Sequence, residues 1–324
     1  MKAVLEINEL LEYIKKNKKI KFNNISEEKR MKELLEIYNY SNIFSLKYLY
    51  ADGNIKIYNE DGKFRYGYSY KEIDYRIIEK QYKKLLQMER KIREGVLMYE
   101  IELKSHFIFF LQDFFKIKNI TFNEFLEKLT YYNLETKKNE IVSEKFKKTL
   151  VEELNNHTKD FTIDMLNYSE YYYLLVKILS FGTIGKFLGH MYEGILVFTL
   201  FNNYLERYGK FYIGKQLKNL RTIITLRNSL CHKESLILFL EKGIKQNRKK
   251  NFERKKERQL SKKLPPIDYL ELRIKAISDI YEYYYKRMKL NKKLTEESWI
   301  KSYRKLRLNN GKNGINFKKI KIDV

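Results

Sequence analysis

The sequence predicts a mainly helical, all-α protein, and three observations support this prediction. The chain of 324 residues has only two prolines, Pro265 and Pro266, which lie side by side, so proline interrupts helices almost nowhere else. Long stretches repeat apolar residues at the spacing of an amphipathic helix. Apolar residues make up 44% and charged residues 33% of the chain, which is typical of a globular protein with a proper core.

The expected elements begin with an amphipathic helix over residues 3–17. A second helix follows, with Asn24 or Ser26 as its N-cap. Between residues 50 and 68 the pattern changes, because two Asp-Gly dipeptides separate short alternating runs. Asp-Gly is a preferred hairpin turn, so we expect a small irregular or hairpin insertion there.

The helical pattern returns at about residue 70 and runs long, with a break expected near Gly95. Further helices are expected over about residues 183–206, 210–240 and 267–289. We expect three segments along the chain: an N-terminal helical segment (1–70), a helical core (70–240), and a basic arm with a C-terminal helix (241–324).

The charge of the chain favours a polyanionic partner. Lys and Arg number 66 against 41 acidic residues, a formal net charge of +25, and nucleic acid is the commonest polyanion. An AT-rich genome would also enrich lysine without any selection for binding. Residues 245–263 hold ten basic residues and too few apolar ones to bury a face, so we expect a solvated helix or disordered arm. The expected RNA-binding residues in this run are Arg248, Lys249, Lys250, Arg254, Lys255 and Lys256.

Several classes of protein are excluded or disfavoured by composition. The single cysteine, Cys231, rules out an intrachain disulfide or a cysteine-cluster zinc site, and we expect it to be a buried small side chain. No histidines have metal-ligand spacing near a carboxylate, so neither a metal nor a cofactor is expected. The longest apolar stretches fall short of the roughly 20 residues that span a bilayer, so we expect a cytoplasmic protein without membrane contact.

Residues 227–232, RNSLCH, pair an arginine with a histidine in a chain that has four histidines. A guanidinium binds phosphate oxygens, and an imidazole transfers protons near neutral pH. The five-residue offset turns about 140° around an ideal helix, so Arg227 and His232 do not share one stripe. Either the helix is distorted or ends near His232, or two copies of the motif share one site across a dimer axis. The spacing by itself also occurs often in structural helices.

Four segments together resemble one known family. RNSLCH resembles the Arg-x4-His motif of HEPN ribonucleases, in which a polar residue, here Asn228, commonly follows the arginine. The segments LLEYIKKNKKIKFNNISEEKRMKELLEIYNYSNIFSLKYLY, LLQMERKIREGVLMYEIELKSHF, KILSFGTIGKFLGHM and LRNSLCHKESLI are similar, in order, to the Abi-like (AbiD/AbiF) abortive-infection protein family. The resemblance covers about residues 5–240 and leaves the basic run and the last helix unmatched.

This resemblance implies an HEPN-type helical bundle with ribonuclease activity and a role in phage defence or a toxin–antitoxin-like system. It assigns catalysis to Arg227 and His232, with Asn228 beside them. It also implies association with a small noncoding RNA. From its place on the long central helix, Glu100 would either orient Arg227 or form an ordinary surface or intrahelical pair with Lys104.

The favoured function is therefore a metal-independent endoribonuclease, acting as a homodimer or with a bound RNA. One alternative is a protein that holds a structured noncoding RNA without cutting it, through the same basic surface. A second is an interaction protein that uses no nucleic acid and whose charge reflects genome composition. Nuclease activity on mixed RNA separates the first from the other two. The ratio of absorbance at 260 and 280 nm after purification separates the two alternatives.

Overall fold

The computed structural model describes residues 6–38, 40–46, 51–58, 64–133, 138–141, 146, 148, 152–153, 179–257 and 268–288 of the chain. At 51–58, 64–69, 133 and 248–257 the description covers the backbone alone. The protein is mostly helical, with eleven helices and small sheets in these residues, so the all-α prediction is confirmed. Among the described helices, none has the length and apolar content needed to cross a membrane.

The described residues contain eleven helices and eight short strands, numbered here in chain order. The helices are α1 (Ile7–Lys18), α2 (Ile25–Ile37), α3 (Tyr40–Ile43), α4 (Tyr75–Lys118), α5 (Phe122–Lys128), α6 (Phe181–Leu188), α7 (Val197–Arg207), α8 (Phe211–Leu217), α9 (Leu220–Cys231), α10 (Leu236–Glu257) and α11 (Tyr269–Arg287). The strands are β1 (Ile20–Lys21), β2 (Ala51–Tyr58), β3 (Phe64–Tyr70), β4 (Ile73–Asp74), β5 (Leu129–Asn133), β6 (Lys138–Ile141), β7 (Met191–Tyr192) and β8 (Ile195–Leu196).

The chain divides into two compact units that are not contiguous in sequence. The first unit combines residues 1–91, 229–274 and 290–324, and the second combines residues 92–228 and 275–289. The division falls within α4, α9 and α11, so each of these helices contributes to both units. Each unit therefore joins stretches that are far apart in the chain, whereas the three segments expected from the sequence are contiguous.

The first unit begins with two capped helices and a hairpin. Asn24 accepts a hydrogen bond from the Glu27 backbone N–H at 3.0 Å, so it is the N-cap of α2 that the sequence offered as one of two choices. Strands β2 and β3 pair antiparallel, with Tyr58 opposite Phe64. This pairing confirms the predicted hairpin, but Asp52-Gly53, which was expected to be a turn, lies within β2 at a register shift of the pair. The short strands β1 and β4 pair in parallel.

The second unit has an aromatic core. The Phe107 ring meets the Phe201 ring edge-on at 5.4 Å and the Phe187 ring at 5.9 Å, and all three side chains are fully buried. Strands β6, β5, β7 and β8 form a four-stranded sheet in that order. The core fixes the C-terminal half of α4 against α6 and α7, and this is the part of α4 that carries Glu100.

The expected break near Gly95 is wrong, because α4 runs unbroken from Tyr75 to Lys118. A Cβ at Gly95 would lie 2.9 Å from the Tyr284 Cβ and 3.2 Å from Ile280 Cγ2. Because it has no side chain, Gly95 lets α11 pack close to α4 within the second unit. This requirement comes from a distant part of the chain, so local turn chemistry does not predict it.

Two expected helices are each divided in the structure. The helix expected over 183–206 is interrupted between α6 and α7 by the β7–β8 hairpin, whose two turn residues, Glu193 and Gly194, have φ of 48° and 81°. Positive φ at both positions is typical of a type I′ turn, although Glu-Gly is a weaker signal than Asn-Gly. The helix expected over 210–240 consists of α8, α9 and the first turns of α10. The helix expected over 267–289 is confirmed as α11.

Candidate active site

Arg227 lies one turn before the end of α9 and is held by a carboxylate from α4. Its Nε donates to Glu100 Oε2 at 2.9 Å. The buried Ile223, Leu226 and Leu230 form the inward face of α9. They direct Arg227 toward the boundary between core and solvent, where a third of its side chain stays exposed.

Glu100 is a buried carboxylate shared by two cations. It is 4% exposed, and its second oxygen, Oε1, lies 3.0 Å from Lys104 Nζ. A carboxylate at this depth needs both charge neutralisation and hydrogen bonds, and the two cations supply them. The trio of Glu100, Lys104 and Arg227 carries one net positive charge. Glu100 thus contacts both Arg227 and Lys104, the two partners considered for it from the sequence, and its pair with Lys104 is buried rather than at the surface.

Asn228 supports the same guanidinium from the exposed side. Its Oδ1 accepts a hydrogen bond from Arg227 Nη1 at 3.3 Å. With Nε directed to Glu100 and Nη1 to Asn228, the remaining amine, Nη2, has no hydrogen-bond partner among the described residues. An oriented guanidinium with an open edge is suited to receive a phosphate oxygen.

His232 is the first residue after α9, so the helix ends near the histidine, which is one of the alternatives expected from the spacing. The Lys233 N–H donates to Leu230 O at 3.2 Å, and the Glu234 N–H donates to Ser229 O at 2.9 Å. These two bonds define a Schellman motif, with Lys233 in the left-handed region at φ 57°. Glycine usually fills that position, and a lysine there costs about 1 kcal/mol.

The chain that follows His232 is anchored within the first unit. Asn42 Nδ2 donates to Lys233 O at 2.6 Å. The buried Glu89 accepts from the Leu236 N–H at 2.8 Å, at the first turn of α10. Ser235 caps the same helix by accepting from the Leu238 N–H at 3.3 Å. His232 is therefore an exposed imidazole on a tightly held backbone.

Glu234 adds a charged contact to this turn. Lys242 Nζ lies 2.5 Å and 2.7 Å from its two carboxylate oxygens. Partial burial works against the charged form, but the hydrogen bonds from Lys242 and Ser229 and the charges of Lys242 and His232 outweigh it. The pKa of Glu234 is consequently lowered, so the carboxylate stays charged near His232 at neutral pH.

The expectation that Cys231 is buried is wrong, because the side chain is exposed. Cys231 follows Arg227 by one helical turn and shares its outward face, so its apolar neighbours in sequence do not determine its burial. His106 and His190 are half-buried. The remaining histidine, His157, lies outside the described residues.

The expected RNA-binding run is only partly described. Its first thirteen residues, 245–257, lie on α10, which favours the helical interpretation of the run over a disordered arm. The six residues proposed from the sequence, Arg248, Lys249, Lys250, Arg254, Lys255 and Lys256, all fall on the backbone of this helix.

Sequence reasoning missed the residues that hold the turn after His232. Asn42, Glu89, Ser235 and Ser45, whose hydroxyl accepts from the Ser235 hydroxyl at 2.8 Å, were not predicted to matter. Ser235 stands directly before an apolar run and so carried an N-cap signal. The other three approach from distant parts of the chain and left no local signal. In the described residues, no three His, Cys, Asp or Glu side chains form a group able to hold a metal ion.

Comparisons of the chain with protein-family models, with curated proteins and with solved structures find no match. The chemistry of Arg227 and His232 and their surroundings is therefore the basis for inferring an activity.

Proposed function

We propose that this protein is an HEPN-type endoribonuclease of the Abi-like family that cleaves RNA without a metal ion and acts in phage defence, as an abortive-infection or toxin-like protein. The observation that supports this most is the geometry of Arg227. Buried Glu100 fixes Nε of the guanidinium at 2.9 Å, and the outer edge of the group stays exposed.

The cleavage chemistry follows from the two side chains. The ribose 2′-oxygen forms a bond to the adjacent phosphorus as the bond from phosphorus to the 5′-oxygen breaks. A base removes the 2′-hydroxyl proton and an acid protonates the leaving 5′-oxygen, and imidazole suits both roles near neutral pH. Arg227 stabilises the additional negative charge on the phosphate oxygens in the transition state.

One chain supplies one histidine to this scheme, whereas the reaction uses a base and an acid. We therefore infer that the working form is a homodimer in which two copies of residues 227–232 act on one phosphate. The net charge of +25 supports RNA as substrate and as a bound noncoding partner.

The activity is tested with a mixed pool of RNA, in EDTA, with the full chain. Arg227→Ala and His232→Ala are expected to abolish cleavage. Arg221→Ala, an exposed arginine on the same helix, is the matched control and should cleave like the parent.

The products give a second readout. Attack by the 2′-hydroxyl leaves a 2′,3′-cyclic phosphate and a 5′-hydroxyl, which end-labelling and mass spectrometry distinguish from 5′-phosphate ends. If His232→Ala cleaves as fast as the parent, or if EDTA stops the reaction and the products carry 5′-phosphate, the proposed chemistry is refuted.

A second candidate is a protein that binds a structured noncoding RNA without cutting it. The charge and the basic α10 favour RNA binding whether or not cleavage occurs. In that case the purified protein carries RNA, seen as a raised ratio of absorbance at 260 to 280 nm, and neither Arg227→Ala nor His232→Ala changes the size of added RNA.

A further inference from the structure

The turn between α7 and α8 presents aromatic rings to solvent in the second unit. Tyr208 is 50% exposed and Phe211 is 64% exposed. A third ring, Phe109 of α4, is 55% exposed. Large aromatic side chains are usually buried, so three exposed rings close to one turn require an explanation.

One face of α4 lies along this turn. Glu102, His106, Phe109 and Asp113 follow at intervals of four, three and four residues and so share a face of the helix. The Tyr208 hydroxyl donates to Asp113 Oδ2 at 2.7 Å, and the Tyr212 hydroxyl donates to Glu102 Oε1 at 2.6 Å.

These two hydrogen bonds attach the two ends of the turn to points about 16 Å apart along the α4 axis. His106 and Phe109 lie on α4 between those two points. The half-buried imidazole and the exposed rings therefore lie along the same turn. We call this region the turn surface, and its residues are Glu102, His106, Phe109, Asp113 and 207–212.

The backbone of the turn is held rigidly. The Lys210 N–H donates to Leu205 O at 2.7 Å and the Gly209 N–H donates to Glu206 O at 3.1 Å. Gly209 has φ 69°, so α7 ends in a Schellman motif with the usual glycine. Lys210 is the residue directly before α8, in the N-cap position. The Tyr208 ring rests on the Tyr204 ring at 4.7 Å.

The carboxylates of the turn surface are already engaged. Glu102 accepts from Tyr212 and Tyr283 and pairs with Arg287 Nε at 3.2 Å. Burial and the Glu102 charge raise the pKa of Tyr212 to about 12, so its hydroxyl stays a donor. Asp113 accepts from Tyr208.

The cations are less engaged than the carboxylates. In the described part of the chain, neither Arg207 nor Lys210 has a carboxylate within ion-pairing distance. Burial lowers the pKa of His106, and the charges of Lys210 and Arg287 add to this against the opposing charge of Glu102. Arg207 and Lys210 are therefore cations without an ion-pair partner among the described residues at this turn, beside the carboxylates of Asp113 and Glu206, which accept from Tyr208 and Asn202.

We propose that the turn surface binds single-stranded RNA, with unpaired bases stacked on Phe211, Tyr208 and Phe109 and with Arg207 and Lys210 on the phosphates. Exposed rings beside free cations are the combination that single-stranded nucleic acid requires. Binding here goes beyond the proposed cleavage, since it uses neither Arg227 nor His232. It is also separate in sequence from the basic run of residues 245–263.

The test measures the affinity of the full-length His232→Ala chain for a labelled oligouridine by fluorescence anisotropy, in EDTA, so that cleavage does not interfere. Phe211→Ala in that background should weaken binding about tenfold, the equivalent of ~1.4 kcal/mol. Phe211→Leu should weaken binding by a similar factor. Leucine keeps much of the apolar area but has no ring on which a base can stack. Phe211→Trp should bind at least as tightly as Phe211.

Two further sets of variants provide the controls and test the contribution of the two cations. Ile117→Ala and Tyr132→Ala remove side chains of comparable exposure elsewhere in the second unit and should leave the affinity unchanged. Arg207→Gln and Lys210→Gln should each reduce the salt dependence of log Kd by about 0.7.

Two results would overturn the proposal. The first is unchanged RNA affinity in Phe211→Ala. The second is full affinity in Phe211→Leu, which would mean that stacking is not involved. If Phe211→Ala instead changes the self-association of the chain by light scattering and leaves RNA affinity intact, the turn surface is a protein contact. A chain that binds oligouridine as proposed but never cleaves RNA would refute only the proposed function.

Discussion

The pair formed by Glu100 and Arg227 allows a sharp test of how the guanidinium is positioned. Glu100→Gln keeps the shape of the side chain and one acceptor oxygen but removes the charge that Arg227 and Lys104 share. Hydrogen bonds to charged groups contribute about 1.5–3 kcal/mol, and breaking a fully buried pair costs about 3–5 kcal/mol. Arg227 is 33% exposed and Lys104 is 14% exposed, so water partly replaces the lost contact.

We therefore expect Glu100→Gln to lower the free energy of unfolding by about 2 kcal/mol, which lowers Tm by about 3 °C in a chain of 324 residues. Glu100→Gln should affect the rate of cleavage more strongly than it affects stability. A misplacement of about 1 Å costs roughly 100-fold in rate, so kcat/KM on a fluorogenic RNA should fall by about two orders of magnitude. Glu12→Gln, which removes an exposed pair with Lys15, is the control and should cost at most about 0.5 kcal/mol, with no change in kcat/KM.

A double-mutant cycle on stability measures the pair itself, because Arg227→Ala already abolishes cleavage. In the Arg227→Ala background Glu100 keeps its pair with Lys104 but not with Arg227, so Glu100→Gln should lower Tm less there than in the parent. Arg227→Lys should be inactive like Arg227→Ala. An ammonium group lacks the planar, forked set of donors with which a guanidinium can contact Glu100 and a phosphate at the same time. Parental kcat/KM in folded Glu100→Gln would refute the reasoning.

Two further predictions concern assembly and RNA affinity. When inactive His232→Ala chains are mixed with active ones and allowed to exchange, activity should fall with the square of the active fraction if two chains form each site; a linear fall would show that one chain is sufficient. Replacing six residues of the basic run by Gln should weaken RNA binding and reduce its salt slope by about 0.7 per lost contact; an unchanged slope would leave the run a merely solubilising helix. The six are Arg248, Lys249, Lys250, Arg254, Lys255 and Lys256.

Elements governed by local chemistry were predictable from the sequence. The β2–β3 hairpin agrees with the Asp61-Gly62 dipeptide, which falls between the two strands in sequence, whereas Asp52-Gly53 lies within β2. The start of α2 follows from the amide of Asn24. The C-terminal helix, α11, follows from apolar periodicity after the two prolines. In each case the signal and the structure lie within a few residues of each other.

Elements that depend on distant partners were not predictable. Gly95 was expected to break a helix because glycine has low helix propensity, but the close packing of Tyr284 and Ile280 uses the missing side chain instead. Cys231 was expected to be buried because Leu230 precedes it, although its helical face is that of Arg227. Periodicity around such positions does not identify the partner that decides their environment.

The residues of the candidate site stay a prediction from the sequence, whereas the contacts that support them come from the structure. Arg227, Asn228 and His232 were identified by their order along the chain, and Glu100 only as one of two alternatives. Their fixation depends on contacts far apart in sequence, such as the buried Glu89 at the start of α10 and the carboxylate of Glu100 on Arg227. The sequence shows which chemical groups are present. Only the fold shows which of these groups are fixed in place by contacts with other residues.

The discontinuous make-up of the second unit has a consequence for the order of folding during synthesis. Tyr99 is completely buried, with the Tyr283 ring edge-on at 5.3 Å, and Gly95 is closed by Tyr284. A ribosome therefore releases α4 long before the residues that cover it, and contacts of such long range form slowly. A fragment ending near residue 240 would contain both Arg227 and His232, yet would leave this apolar face of α4 uncovered. The nascent chain would thus complete its second unit only after residues 275–289 have been made.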